Sequence, residues 1–229
     1  MKEHRESHQS SLPALRDFVL GMSDGLTVPF ALAAGLAGAV DSTSLIVTAG
    51  LAEIAAGTIS MGVGGYLAAK TESDHYTSEY EREMHEIKHV PHVEAGEVAD
   101  ILLEFGVPEK EVPIVAQGIM AHPERWADFM MRFELGLDKP DPHRQLLSPL
   151  VIGGAYALGG IIPLVPYMLC KTILAALGAS IVVTGAALLV FGAFRGYVTG
   201  TGKLKSALQT TATVAIAALS AYMIAKLWG

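Results

Sequence analysis

The sequence predicts an all-α membrane protein with five transmembrane helices and a helical domain inserted between the second and third. Three observations carry that prediction. The 229 residues are 51% hydrophobic and only 17% charged, with a mean hydropathy of +0.41, which is too apolar for an ordinary soluble domain. Five apolar stretches are each long enough to cross about 30 Å of hydrocarbon, which takes about 20 helical residues. Between the second and third lies a segment of quite different composition, residues 71–145, with 17 Asp and Glu against 7 Lys and Arg.

In order, residues 1–17 form a polar tail (MKEHRESHQSSLPALRD). It has no short apolar region and no small-residue cleavage site, so the first span is expected to target the chain. The spans are read at residues 18–39, 44–69, 147–169, 172–194 and 206–228. The domain plan is therefore a tail (1–17), spans one and two (18–70), the insert (71–145) and spans three to five (146–229). Lys2, Arg5 and Arg16 precede span one, and Arg195, Lys203 and Lys205 lie around the connection of spans four and five. The opposite side offers only Lys171 and Lys226. Positive-inside bias then puts the N-terminus and the insert in the cytoplasm and the C-terminus outside or in a lumen. The single cysteine, Cys170, excludes an internal disulfide and a cysteine-rich metal site, and reads as a buried small hydrophobe.

Span one holds an acid, Asp24, that costs about 2.5 to 3.5 kcal/mol at the bilayer centre if charged and unpartnered. Gly21, Asp24, Gly25, Val28, Leu32 and Gly35 share one face, and Pro29 loosens the backbone nearby. The three glycines permit close approach of another helix, such as the same helix of a second subunit. Span two holds Glu53 near its midplane, with Gly57 and Met61 one and two turns on along much the same face. Acids at membrane depth mark ion or proton pathways. Two acids and a thioether therefore describe a metal path with titratable groups.

The insert carries a net charge of −10, the rest of the chain +3; such acidity repels nucleic acid and anionic lipid and attracts cations. At 100° per residue, Glu72, Glu79, Glu83 and Glu86 cluster on one helix face, beside an apolar stripe of Tyr76, Tyr80, Met84 and Ile87. After Pro91 a second helix opens with Glu94 and Glu97, three apart, and closes at Gly106. A later helix, residues 123–135, buries Trp126, Phe129, Met130 and Phe133, with Gly136 as its C-terminal cap. Met131 lies off that stripe and Glu134 on its border. Glutamates at i, i+3 on facing helices can assemble carboxylate metal sites, and a thioether biases the set toward softer transition metals, so Fe2+ fits better than Mg2+ or Ca2+. A competing motif is His85-Glu86-Ile87-Lys88-His89, which matches the H-E-x-x-H of zinc peptidases with Glu86 as general base. Exposed histidines on a polar helix, or an accessory metal contact by His85 or His89, are the other readings. No phosphate-cradling glycine-rich loop is present, which favours a gradient over ATP as the energy source.

Three stretches, RDFVLGMSDGLTVPFALAAGL, AEIAAGTISMGVGGYLAAKTE and DHYTSEYEREMHEIKH, resemble the vacuolar iron transporters, and the similarity runs from about Leu15 to the C-terminus. The resemblance implies a homodimer of five-span subunits in the vacuolar membrane. These would export Fe2+, and also Mn2+, Zn2+ or Co2+, from the cytosol in exchange for protons, with no prosthetic group and no enzymatic activity. It implies a pathway of Asp24, Glu53 and Met61, and metal-domain ligands Glu83, Glu86, Glu94, Glu97, Met130, Met131 and Glu134. Family members differ in having the insert and in moving iron or manganese; the insert here favours iron. The alternatives are a membrane-anchored zinc peptidase and a metal-buffering membrane protein that transports nothing.

Overall fold

A computed structural model describes residues 11–228, all-helical in its regular structure. Lys2 and Arg5, two of the cations counted in the tail, lie outside the described residues. The helices are α1 (Ser11–Ala37), α2 (Thr43–His89), α3 (Pro91–Glu104), α4 (Val112–Met120), α5 (Pro123–Phe133), α6 (Arg144–Leu169), α7 (Ile173–Val198) and α8 (Lys203–Trp228). Five of them, α1, α2, α6, α7 and α8, are long and apolar enough to cross a membrane. The chain divides into two compact units, one of residues 67–144 and one of the remainder.

Helix α1 begins at Ser11, so the end of the polar tail is helical and Asp17 lies on the same helix as Asp24. Helix α2 runs without a break from the second span to His89. Neither glycine nor proline occurs between Gly65 and Pro91, and the intervening Ala, Glu, Lys, Arg and Met are strong helix formers.

In the unit of the spans, α1 packs on α7 and α8. Leu26, Phe30 and Ala34 meet Leu188 and Phe191 of α7 and Val214 and Ala218 of α8. A second cluster joins Ala33 of α1, Ile46 and Ile54 of α2 and Leu164 and Tyr167 of α6. Cys170 packs against that cluster and is half-buried rather than fully enclosed. The glycine face of α1 is filled from within this chain. A Cβ at Gly21 would overlap the Ile152 carbonyl, one at Gly25 the Tyr156 carbonyl, and one at Gly35 would come 3.3 Å from the Ala221 oxygen. Within this chain the close neighbours of these glycines are therefore α6 and α8. Backbone approach of this kind is how small residues hold membrane helices together.

The unit of residues 67–144 has its own core: Ile87 from α2, Val98 and Leu102 from α3, Val112 and Ala116 from α4, and Trp126, Ala127 and Met130 from α5. The expected apolar stripe of α2 is present, Ile87 fully buried with Tyr80 and Met84 packed beside it. Helix α3 ends with Gly106 at φ +83°, and the Val107 and Gly106 amides turn back to the Leu102 and Leu103 carbonyls, a Schellman cap. Gly136 adopts φ +64° after α5, as expected of a cap. Phe133 departs from expectation: it is 45% exposed. As the last residue of α5 it has left the buried stripe, and its ring instead meets Phe105 and Phe129 at the surface.

Candidate functional sites

Two constellations emerge, one in each unit. In the spans, α1 and α6 run in the same direction, Gly21 against Ile152 and Gly25 against Tyr156. Helix α2 runs opposite, Gly50 against Leu164, Gly57 against the Tyr156 ring and Gly65 against Ile152. This register sets the levels of the polar groups. Tyr156 is 3% exposed, held between Gly25 and Gly57, where a Cβ on Gly57 would come within 2.5 Å of its hydroxyl. Its hydroxyl donates a hydrogen bond to Glu53 Oε1, and Asp24 precedes Gly25, the residue that packs on the Tyr156 backbone. The other oxygen, Glu53 Oε2, is buried without a hydrogen-bond partner.

Met61 lies between Gly57 and Gly65, two turns or about 12 Å along α2 from Glu53, toward Ile152. One turn further, Asp17 levels with Ser148. Asp17 is only 6% exposed, shares the face of Asp24 seven residues on, and makes no hydrogen bond or ion pair among the described residues. The rise from Asp17 to Asp24 is about 10 Å. The structure thus brings Glu53 and the turn of Asp24 and Gly25 to one tyrosine, with Met61 and Asp17 following along the helices. Sequence reasoning missed Tyr156, because a tyrosine in an apolar span reads as packing. It missed Asp17, because that residue was assigned to the tail.

In the other unit, single carboxylate oxygens of Glu83, Glu86 and Glu94 lie within 4.8 Å of one another. Glu83 projects from α2 and Glu94 from the first turn of α3, and both are almost completely buried. Each keeps one oxygen, Oε2, enclosed and unpartnered. Burial and the neighbouring Glu134 and Glu86 push the Glu83 carboxyl up to about 7. Glu94 is likewise pushed up to about 7, by burial and then by Glu97, Glu83, Glu86 and Glu134. Glu134, just past α5, is raised by desolvation and by Glu97. All five glutamates therefore share one electrostatic neighbourhood. Crowded acids with enclosed, unpartnered oxygens suit a divalent cation, which would remove the repulsion and take up the free lone pairs.

Met130 and Met131 are both fully buried, and Met130 packs in the cluster of Ile87, Val98 and Trp126. His85 and His89 are exposed, and their rings stack at 3.9 Å and 22°, with His89 Nδ1 2.7 Å from the His85 carbonyl oxygen. In-plane lone pairs of nearly parallel rings do not converge on one ion at the roughly 2 Å that zinc requires, so HEIKH is not arranged here as a peptidase site.

Comparison with known proteins places these sites in context. The chain matches the VIT family over residues 15–226. It is 52% identical over 226 residues to vacuolar iron transporter 1 of Arabidopsis thaliana, covering 99% of this chain and 90% of that protein. It is 53% identical over 226 residues to the vacuolar iron transporter of Centaurea cyanus, covering 99% and 92%. Protein CCC1 of Saccharomyces cerevisiae is 39% identical over 223 residues, covering 94% and 69%.

Proposed function

The chain belongs to the VIT family, and from that premise we propose that it carries Fe2+ from the cytosol into the vacuole in exchange for protons. The family is one of transporters, not enzymes, and its relatives here are named for vacuolar iron. The observation that carries the reading is the Tyr156 hydroxyl bonded to Glu53, at the helical level where Gly25, next to Asp24, packs on Tyr156, beside an unpartnered Glu53 oxygen. Acids enclosed at membrane depth are expensive unless they do something.

The path is Asp17, Met61, and the level of Asp24 with Glu53. A carboxylate in a low-dielectric site favours its protonated form, whereas a divalent ion beside it favours the charged one. Metal and proton therefore compete for the same oxygens. A near-neutral cytosol favours loading of metal, and an acidic lumen displaces it with protons. Tyr156 holds Glu53 in place by its hydroxyl and can donate to whichever oxygen is free of metal. The insert lies on the cytoplasmic side and collects the ion through Glu83, Glu86, Glu94, Glu97 and Glu134. Met130 and Met131 bias that set toward iron, cobalt and zinc over harder ions such as Mg2+ and Ca2+, while the carboxylates also accept Mn2+. Two copies form the working unit, a homodimer with the C-termini in the lumen.

The test is transport by the purified protein in sealed liposomes. Fe2+ should enter vesicles that are acidic inside, with protons leaving, and the flux should fall when the pH gradient is collapsed. Metal binding without flux would leave a buffering protein instead.

A further inference from the structure

Arg82 sits in an unusual place relative to the glutamate cluster. Its Nη2 lies 2.8 Å from Glu79 Oε2, a firm contact with an acid outside the three-glutamate set. It reaches Glu83 Oε1 only at 3.5 Å and Glu86 Oε2 only at 3.9 Å. The Arg82 side chain is half exposed, while that of Glu83 is enclosed. The cation is therefore anchored by one acid and leans on two others. Other ion pairs in this unit join Lys70 to Asp74, Arg132 to Asp138, Arg144 to Glu72 and, at 3.8 Å, His75 to Glu79, and none of these touches Glu83, Glu86 or Glu94. Arg82 does not reach the enclosed Oε2 atoms of Glu83 and Glu94, which lack any partner.

We propose that Arg82 is a tethered counter-ion that opposes the divalent ion at Glu83, Glu86 and Glu94 and so keeps the cluster's affinity in a range that permits release. The inference rests on the reading of this cluster as a metal collector. A divalent ion bound to the Glu83 and Glu86 carboxylates faces a fixed positive charge a few ångströms away, and the repulsion weakens its binding. Glu79 is what allows this arrangement. It holds the guanidinium beside the cluster rather than on it, so an ion can enter from the inner oxygens while Arg82 stays ion-paired with Glu79. When the ion leaves, the guanidinium again screens the carboxylates, which eases departure. A site that hands its ion onward needs such a limit on affinity; a site that only stores metal does not.

The experiment is titration of Mn2+ into the full chain in detergent, with the cluster's share defined by its loss in a Glu83→Gln/Glu94→Gln variant. Arg82→Gln should tighten Mn2+ binding at the cluster about tenfold. Arg82→Lys, which keeps the charge, should stay within about twofold of the parent. Glu79→Gln should weaken binding about threefold, because the released guanidinium settles on Glu83 and Glu86, and that effect should vanish in the Glu79→Gln/Arg82→Gln double variant. Unchanged or weaker binding in Arg82→Gln overturns the proposal, as does a Glu79→Gln effect that persists without Arg82. A parent protein that binds no Mn2+ at the cluster would overturn the metal-collector reading, and this inference with it.

Discussion

Loading the glutamate cluster with metal should expel protons in a defined, pH-dependent number. Glu83 and Glu94 each titrate at about 7 in the metal-free protein, because each is buried among like charges. A bound divalent ion requires both as carboxylates. With both pushed up to about 7, the pair holds on the order of two protons at pH 6 and few at pH 8, so the number released per ion bound should fall steeply across that range. Calorimetric titration with Mn2+ in pairs of buffers of different ionisation enthalpy measures that number directly. Repeating it in the Glu83→Gln/Glu94→Gln variant separates this cluster from any metal bound in the spans. Release that stays flat from pH 6 to pH 8, or that survives in the double variant, would refute the argument that burial and crowding load these acids with protons.

The same shifts make folding stability pH-dependent. Because the folded-state values of Glu83 and Glu94 lie above the ordinary 4.5, the native state binds more protons than the unfolded chain. Their stabilisation is complete below about 4.5 and is lost as pH rises through about 7. The metal-free protein should therefore melt at lower temperature at pH 8 than at pH 5, and Glu83→Gln/Glu94→Gln should flatten the decline. Gly25→Leu should prevent normal folding, since even a Cβ there overlaps the Tyr156 backbone, whereas Gly64→Ala, which meets nothing within 4 Å, should cost less than about 1 kcal/mol by thermal melting. Tyr156→Phe should fold and still bind metal in the insert, yet slow Fe2+ flux several-fold by freeing the Glu53 carboxylate.

The five spans were legible because hydropathy alone marks segments that must bury their backbone bonds internally. The glutamates of the cluster were legible because helical spacing puts Glu83 and Glu86 on one face and Glu94 and Glu97 on another. What spacing cannot show is which faces meet. The glycines of α1 announced a close neighbour, but only the structure identifies it as α6 and α8, and only that packing brings Tyr156 to Glu53. The unbroken reach of α2 to His89 was written in the absence of glycine and proline after Gly65, yet the drop in hydropathy at Lys70 drew attention away from it. Helix α4 has nine residues with Pro113 at its start and Gly118 inside, too short and too punctuated to stand out as periodic. Helical spacing alone does not distinguish Arg82 from the other charges of α2; its distances to Glu79, Glu83 and Glu86 do.

The central claim is that one intramembrane carboxylate alternates between metal and proton. Asp24→Asn keeps the shape of the side chain and removes its charge cycle, so it tests that claim most directly when parent and variant are compared in liposomes with an acidic interior. The account predicts that the variant folds, binds metal at the insert with unchanged affinity, and moves Fe2+ no faster than empty vesicles. Fe2+ flux at the parent rate, with the same response to the imposed pH gradient, would contradict it.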